Sequence, residues 1–159
     1  MYDETKAVTD DSAVFEFISL FVGEQSFCIE LNRIREIRRW EPVTMLPHSP
    51  HFVLGVVNLR GAVIPIIDLA CKLGFPPFEP TKRNVIIICN LGHQVIGLLV
   101  ESVSEILTVD LSEMQEAPRV KEDASNSAIR GVISIKDDMI RVIDLESMMG
   151  MEPELGLHD

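Results

Sequence analysis

The chain has 159 residues, 47% of them hydrophobic and 25% charged, enough for one ordinary domain or two small, closely packed ones with a sizeable core. Its formal net charge of −11 excludes a surface built for nucleic acid or for an anionic membrane, because the summed field repels both. The longest apolar runs, such as 95–100, are about six residues, against the ~20 needed for a membrane span, so no membrane insertion is predicted.

In chain order, residues 1–13 carry Asp3, Glu4, Asp10 and Asp11, lack the apolar centre of a secretion signal, and read as an acidic flexible tail. An apolar run and a turn at Gly23 follow. Phe27, Ile29 and Leu31 then alternate with polar or small residues as in a strand, and the phase slips to Ile34 and Ile37, which predicts a turn or bulge. Arg33, Arg35, Arg38 and Arg39, with Trp40 at their end, form a basic island in an acidic chain. It reads either as a solvated strand face or as a docking surface for an acidic helix, Arg and Trp being frequent interface anchors.

A Pro-rich connection leads to two apolar runs between Gly55 and Leu69, separated by the turn at Arg60-Gly61, where Gly61 supplies the positive φ that a two-residue hairpin demands. Pro65 has no N–H to donate, which predicts an edge strand or a bulge at that point. Asp68 is placed to cap a short helix ending near Gly74. The β-branched run 85–88 predicts a strand buried on both faces. A polar stretch, Lys121 to Asn126, predicts a surface loop; Asp144 and Gly150 bracket a second short helix, and 151–159 reads as a tail.

The sequence resembles itself. Gly23 to Ile37 lies over Gly92 to Ile106 at an offset of 69, sharing Gly-x-Gln, alternating apolar residues and Glu-Ile. Gly55 to Leu69 lies over Gly131 to Leu145 at an offset of 76, with Asn58 opposite Ser134 and Asp68 opposite Asp144. The seven extra residues of the second repeat fall two before Pro118, if that matches Pro47, and five after it. A mainly β fold follows: two similar five-stranded antiparallel barrels with short helices, packed together with a groove between them. The halves are approximately 14–82 and 83–150, with exchange of strands between them left open.

No phosphate loop, HExxH, CxxC or GxSxG is present, so no catalytic residue, metal ligand or cofactor is predicted. His48 and His51 lie three apart without a Cys or acidic partner at metal spacing, and His93 and His158 are isolated. Glu36 with Glu105 and Asp68 with Asp144 recur by repetition, which the shared fold explains better than acid–base chemistry does. Cys28, Cys71 and Cys89 form no CxxC pair and read as small buried hydrophobes in a reducing compartment.

The block Gly55-Val-Val-Asn-Leu-Arg-Gly61 with Pro65 and Asp68-Leu69, preceded by Ile34-Arg-Glu-Ile37 and followed by Asn90-Leu-Gly92, resembles the CheW family of chemotaxis coupling proteins. The resemblance runs from about Phe15 to Gly150. It implies two interlocked SH3-like five-stranded barrels and a non-enzymatic adaptor that joins chemoreceptor signalling tips to the regulatory domain of the chemotaxis histidine kinase. The implied location is the cytoplasm, at membrane-associated receptor arrays. The implied receptor groove comprises Ile34, Glu36, Arg60, Val63, Val85 and Ile106; the implied kinase contacts are Val43 and Met45. Gly55, Asn58, Gly61, Pro65, Asp68 and Asp144 are expected to be structural. Glu36 and Arg60 pair either with each other or with receptor charges.

The family also includes the kinase's own regulatory domain and adaptor–receiver fusions. The short polar tails on both sides of the match favour a free-standing adaptor. A β-barrel scaffold for another histidine-kinase pathway, such as surface motility, is the alternative. A small enzyme using the groove is the third reading, against which stands the lack of a nucleophile with a base at a recognisable offset.

Overall fold

The computed structural model describes residues 14–116 and 128–150. The predicted loop at 121–126, Pro118 and both tails lie outside the described residues. Among the described residues eleven strands and two short α-helices follow in order: β1 (Val14–Val22), β2 (Gln25–Glu30), β3 (Ile34–Arg39), β4 (Val53–Leu59), β5 (Ala62–Asp68), α1 (Leu69–Lys72), β6 (Val85–Leu91), β7 (Gln94–Val100), β8 (Ser102–Asp110), β9 (Met114–Glu116), β10 (Ile129–Ile135), β11 (Asp138–Ile143) and α2 (Leu145–Met149). They form a six-stranded sheet, β9-β10-β11-β2-β1-β8, and a five-stranded one, β3-β6-β7-β5-β4.

Each sheet draws on both repeats. The hairpin β1–β2 of the first repeat joins the strands β8–β11 of the second, and the hairpin β6–β7 of the second joins β3–β5 of the first. The pairing is antiparallel except on one side of each exchanged hairpin: β2 runs parallel to β11 through Val142↔Cys28, and β7 parallel to β5 through Ile66↔Gly97. These two pairs are each other's counterparts under the repeat. The bulges repeat as well, Ile34/Glu36 on β3 opposite β6 matching the irregularity between Ile18 and Leu20 where β1 meets β8. Neither sheet closes into a hydrogen-bonded ring. Instead β9 adds a sixth strand at one margin, and its counterpart in the other sheet shrinks to the single bridge Thr44↔Val56.

The exchange creates three apolar clusters. Phe17, Cys28, Leu107, Ile133 and Val142 fill the six-stranded sheet, Leu59, Ile64, Ile66, Ile86 and Ile88 the five-stranded one. A third, shared cluster takes Leu20, Phe27 and Ile29 from one sheet, Ile87, Leu98 and Val100 from the other, and Leu69 and Leu145 from the helices. Phe27, Cys28 and Ile29 are therefore all buried, since β2 has a core on each face. Strand β6 is covered in the same way, as its β-branched run predicts.

Pro65 occupies an interior strand, yet its position satisfies the same constraint as an edge. Val56 opposite it directs both its N–H and its C=O to Thr44, and the parallel ladder with β7 begins one residue later, at Ile66. No ladder bond is lost to the proline. The predicted phase slip after Leu31 is a 3₁₀ turn, Leu31–Arg33, followed by the bulge on β3.

Both helices start on an aspartate. Asp68 accepts the Cys71 N–H at 3.4 Å and Asp144 the Ser147 N–H at 3.2 Å, and Gly150 ends α2 in the left-handed region at φ 66°. Asp68 is 3% exposed. Burial pushes its carboxyl above the usual range, against the opposing pull of the Cys71 and Ala70 amides. A raised native pKa means that the associated stability is fully present below the unfolded value and is lost as pH rises through the native one. Asp68→Asn, which keeps the acceptor without the charge, is expected to raise the urea midpoint at about pH 7 and to gain less at about pH 4. Asp68→Ala is expected to cost about 1–2 kcal/mol at either pH.

Candidate docking site

Strand β3 carries the site because its two faces look at different cores. Directly paired residues of an antiparallel ladder project to the same side. Ile34, Ile37 and Arg39 face Cys89, Ile87 and Val85, on the side of the shared cluster; Glu36 and Arg38 face Ile88 and Ile86, on the side of the five-stranded sheet's own core. The bulge at Arg35 sets this phase.

The turn between β4 and β5 places Arg60 (φ 51°) and Gly61 (φ 89°) both in the left-handed region, the backbone of a type I′ hairpin. Asn58 Oδ1 accepts the Gly61 N–H at 3.0 Å and locks the turn. Lys136 (φ 49°) and Asp137 (φ 73°) adopt the same turn in the second repeat without a glycine. Arg60 Nη2 donates to Glu36 Oε1 at 2.8 Å, while Arg38 Nη1 donates to Glu36 Oε2 at 3.1 Å and Arg38 Nη2 to Glu41 Oε2 at 2.8 Å. Strands β3 and β4 stand at opposite ends of the sheet order, so the Glu36–Arg60 pair joins the two margins of the sheet. It does from side chains what the Thr44↔Val56 bridge does from the backbone.

The hydrogen bond from Arg60, followed by that from Arg38, holds the Glu36 carboxyl below the usual carboxylate range. For a depressed native pKa, the pairing is present above the unfolded value and is lost as pH falls through the lower native one. The expected outcome is a Glu36 side-chain NMR titration whose midpoint lies below that of the exposed glutamates, and which moves back toward them in Arg60→Ala. A Glu36 midpoint equal to theirs would remove the clamp from solution.

The other predicted positions divide by place. Val63 is 65% exposed and pairs with Asn58 in the Arg60 hairpin. Ile34 and Val85, half-buried on adjacent strands, pack against the shared cluster. Ile106 is 56% exposed on β8 of the other sheet, opposite Ile18 and three residues beyond Val103, which packs on that cluster. Val43 rests on the five-stranded core beside Trp40, under Gly55, and Met45 is 79% exposed. Arg60 and Val63 thus share the hairpin, to which Glu36 of β3 is bonded through Arg60, Ile34 and Val85 share one flank of the shared cluster, and Ile106 stands on the opposite sheet.

Sequence reasoning placed Arg33 and Arg38 in the basic island without their partners and gave Ile37, Met139 and Arg130 no role. Arg38 is the second clamp on Glu36. Ile37 (41% exposed) and Met139 (56%) are the repeat counterparts of Ile106 and Val63, and offsets of 69 and 76 applied to those two residues would have found them. Arg33 bonds both Glu146 and the Asn90 carbonyl, and Arg130 bonds Glu30, which ties the crossover after β2 to α2 and β10.

Burial pushes the Cys28 and Cys89 thiols up to about 12, so neither is a thiolate nucleophile at neutral pH. Among the described residues no group of three His, Cys, Asp or Glu side chains is placed to hold a metal ion, and no helix is long and apolar enough to cross a membrane.

A family model described as a CheW-like domain matches residues 16–153. The chain belongs to this CheW-like family. All eight predicted docking positions fall within the matched segment. Among relatives, the chain is 47% identical over 133 residues to a "Probable chemotaxis protein CheW" of Rhizobium etli, covering 84% of this chain and 86% of that one. It is 46% identical over 137 residues to the chemotaxis protein CheW of Rhizobium meliloti, covering 86% and 88%. Among solved structures it superposes on the scaffolding protein TtCheW of Thermoanaerobacter tengcongensis with a TM-score of 0.80 at 26% identity, covering 88% of this chain and 95% of that one. The mainly β fold of two sheets with few short helices is that of a CheW scaffold.

Proposed function

We propose that the chain is a non-enzymatic coupling protein that bridges the helical signalling tips of chemoreceptors to the regulatory domain of the chemotaxis histidine kinase, at the cytoplasmic face of receptor arrays. The observation that carries this reading is the CheW-like match across residues 16–153, which takes in all of the described fold but the first two residues of β1. The receptor tip lies along the side of the shared cluster, against Ile34 and Val85 on one flank and Ile106 on the other, with Val63 and the Arg60–Glu36 pair at its end. Val43 and Met45 serve the kinase. Apolar walls supply affinity through burial, and a clamped carboxylate–guanidinium pair supplies orientation. Residues 14–150 act as one unit.

Purified protein is expected to co-sediment with a receptor signalling-domain fragment and with the kinase, and to raise the amount of kinase brought down by the fragment. Failure of the wild type to bind either partner would overturn the adaptor role.

A further inference from the structure

One corner of the five-stranded sheet has the opposite sign to the rest of the chain. Strand β3 ends at Arg39, directly opposite Val85, and the next residue, Trp40, donates its N–H to the Asn84 carbonyl at 2.9 Å. Asn84 closes a turn on Thr81: its N–H reaches the Thr81 carbonyl at 2.9 Å, and its Oδ1 accepts the Thr81 N–H at 2.7 Å. The Arg83 N–H adds a bond to Thr81 Oγ1 at 3.2 Å. Asn84 Nδ2 meanwhile donates to the Glu101 carbonyl at 3.1 Å. Lys82 and Arg83 are the two central residues of this pinned turn, and with Arg39 they are exposed.

Of the carboxylates around this corner Glu41 and Glu101 are engaged elsewhere, while the exposed Glu79, three residues before Lys82, forms no ion pair with Arg39, Lys82 or Arg83 among the described residues. Glu41 holds Arg38 at 2.8 Å, and Glu101 Oε2 accepts the Gly23 N–H at 3.1 Å. Arg39, Lys82 and Arg83 therefore form a basic corner on a chain that carries 25 acidic and 14 basic side chains.

We propose that Arg39, Lys82 and Arg83 receive an acidic flank of the receptor helix that lies on the side of the shared cluster. This inference rests on the coupling role proposed above. Arg39 projects to the same side of β3 as the exposed Ile37, two residues and so about 6.6 Å away along the strand. On an amphipathic helix, residues three or four apart are about 5–6 Å apart, so an apolar ridge seated on Ile37 brings its flanking position within reach of Arg39. The rest of the molecule repels an acidic partner and this corner attracts it, which orients the helix during encounter. Three cations on a chain of net charge −11 are a poor match to a lipid surface or a nucleic acid, but suit a short acidic stripe on a protein.

The test uses the full-length chain, the triple variant Arg39→Gln/Lys82→Gln/Arg83→Gln, and a soluble receptor signalling-domain fragment titrated at about 0.1 M and about 1 M ionic strength. Over that range the screening length falls from about 10 Å to about 3 Å. At the lower salt the variant is expected to bind roughly three- to tenfold more weakly than wild type. At the higher salt the two should converge. All three side chains are exposed, so thermal melting verifies that the variant is folded. A folded variant with wild-type affinity at both salts overturns the inference while leaving the coupling role intact. So does a variant that loses only retention on anionic vesicles, because the corner would then serve lipid. A wild type that fails to bind the fragment at any salt overturns the coupling role itself.

Discussion

Gly55→Ala is expected to lower stability by about 2–5 kcal/mol, the sum of backbone strain and overpacking at a site that has no room to relax. Gly55 sits at φ 154°, and an added Cβ would stand 2.5 Å from the Thr44 carbonyl oxygen and 2.8 Å from Val43 Cγ2. The first neighbour is backbone. Moving it breaks the paired bonds Thr44 N–H to Val56 (2.9 Å) and Val56 N–H to Thr44 (2.8 Å), the backbone bonds that hold this margin to β4. The Val43–Met45 segment would therefore swing away, and kinase binding should fall together with the denaturant midpoint. Gly131 is the repeat counterpart, where a Cβ would meet Met114 Cγ and the Gln115 oxygen, both at 2.8 Å. Its Ala variant should cost less, because the methionine can move and no positive φ is involved. A Gly55→Ala protein within about 1 kcal/mol of wild type would show that the margin is soft.

The second large effect belongs to Arg60. Arg60→Glu sets a carboxylate against Glu36, whose two oxygens are then left with Arg38 alone, and turns attraction into repulsion across the seam. Assembly with receptor fragment and kinase is expected to weaken on the order of tenfold or more, and Arg60→Ala less. Melting should hardly change, since the Arg60 side chain is 67% exposed. The exchange Glu36→Arg with Arg60→Glu restores the pair with its sign reversed. Recovery of assembly in the exchange would assign the effect to the pair itself. A single reversal with wild-type assembly would remove Arg60 from the coupling surface.

Much of this fold can be read along the chain because duplication leaves local traces. Offsets of 69 and 76 anticipate which bulges, hairpins and caps recur, and the Asn58–Gly61 turn and the Asp68 and Asp144 caps are short-range chemistry. The exchange of hairpins is different. Nothing in Gln25–Glu30 specifies that its parallel neighbour is Asp138–Ile143, because an apolar strand face accepts any complementary edge and only the three-core packing selects one. The same gap hid the partners of Arg38, which follow from the strand's phase after the bulge rather than from spacing. The site was legible where it coincides with the hairpin motif. It was not where it depends on which flank of the shared cluster a residue borders, as for Ile37.

The reciprocal hairpin exchange also bears on how the chain is made. Arg141 stands beside Phe27, so β2 has no neighbour on one side until almost the whole chain has left the ribosome. Until then the nascent first hairpin carries Phe17, Leu20, Phe27 and Ile29 with nothing to bury them, a state prone to misassembly. Long-range pairing of this kind is slow to form. Synthesis of the first half alone yields no finished barrel. A truncation after the first repeat should therefore aggregate, although it retains every residue of the Arg60 hairpin.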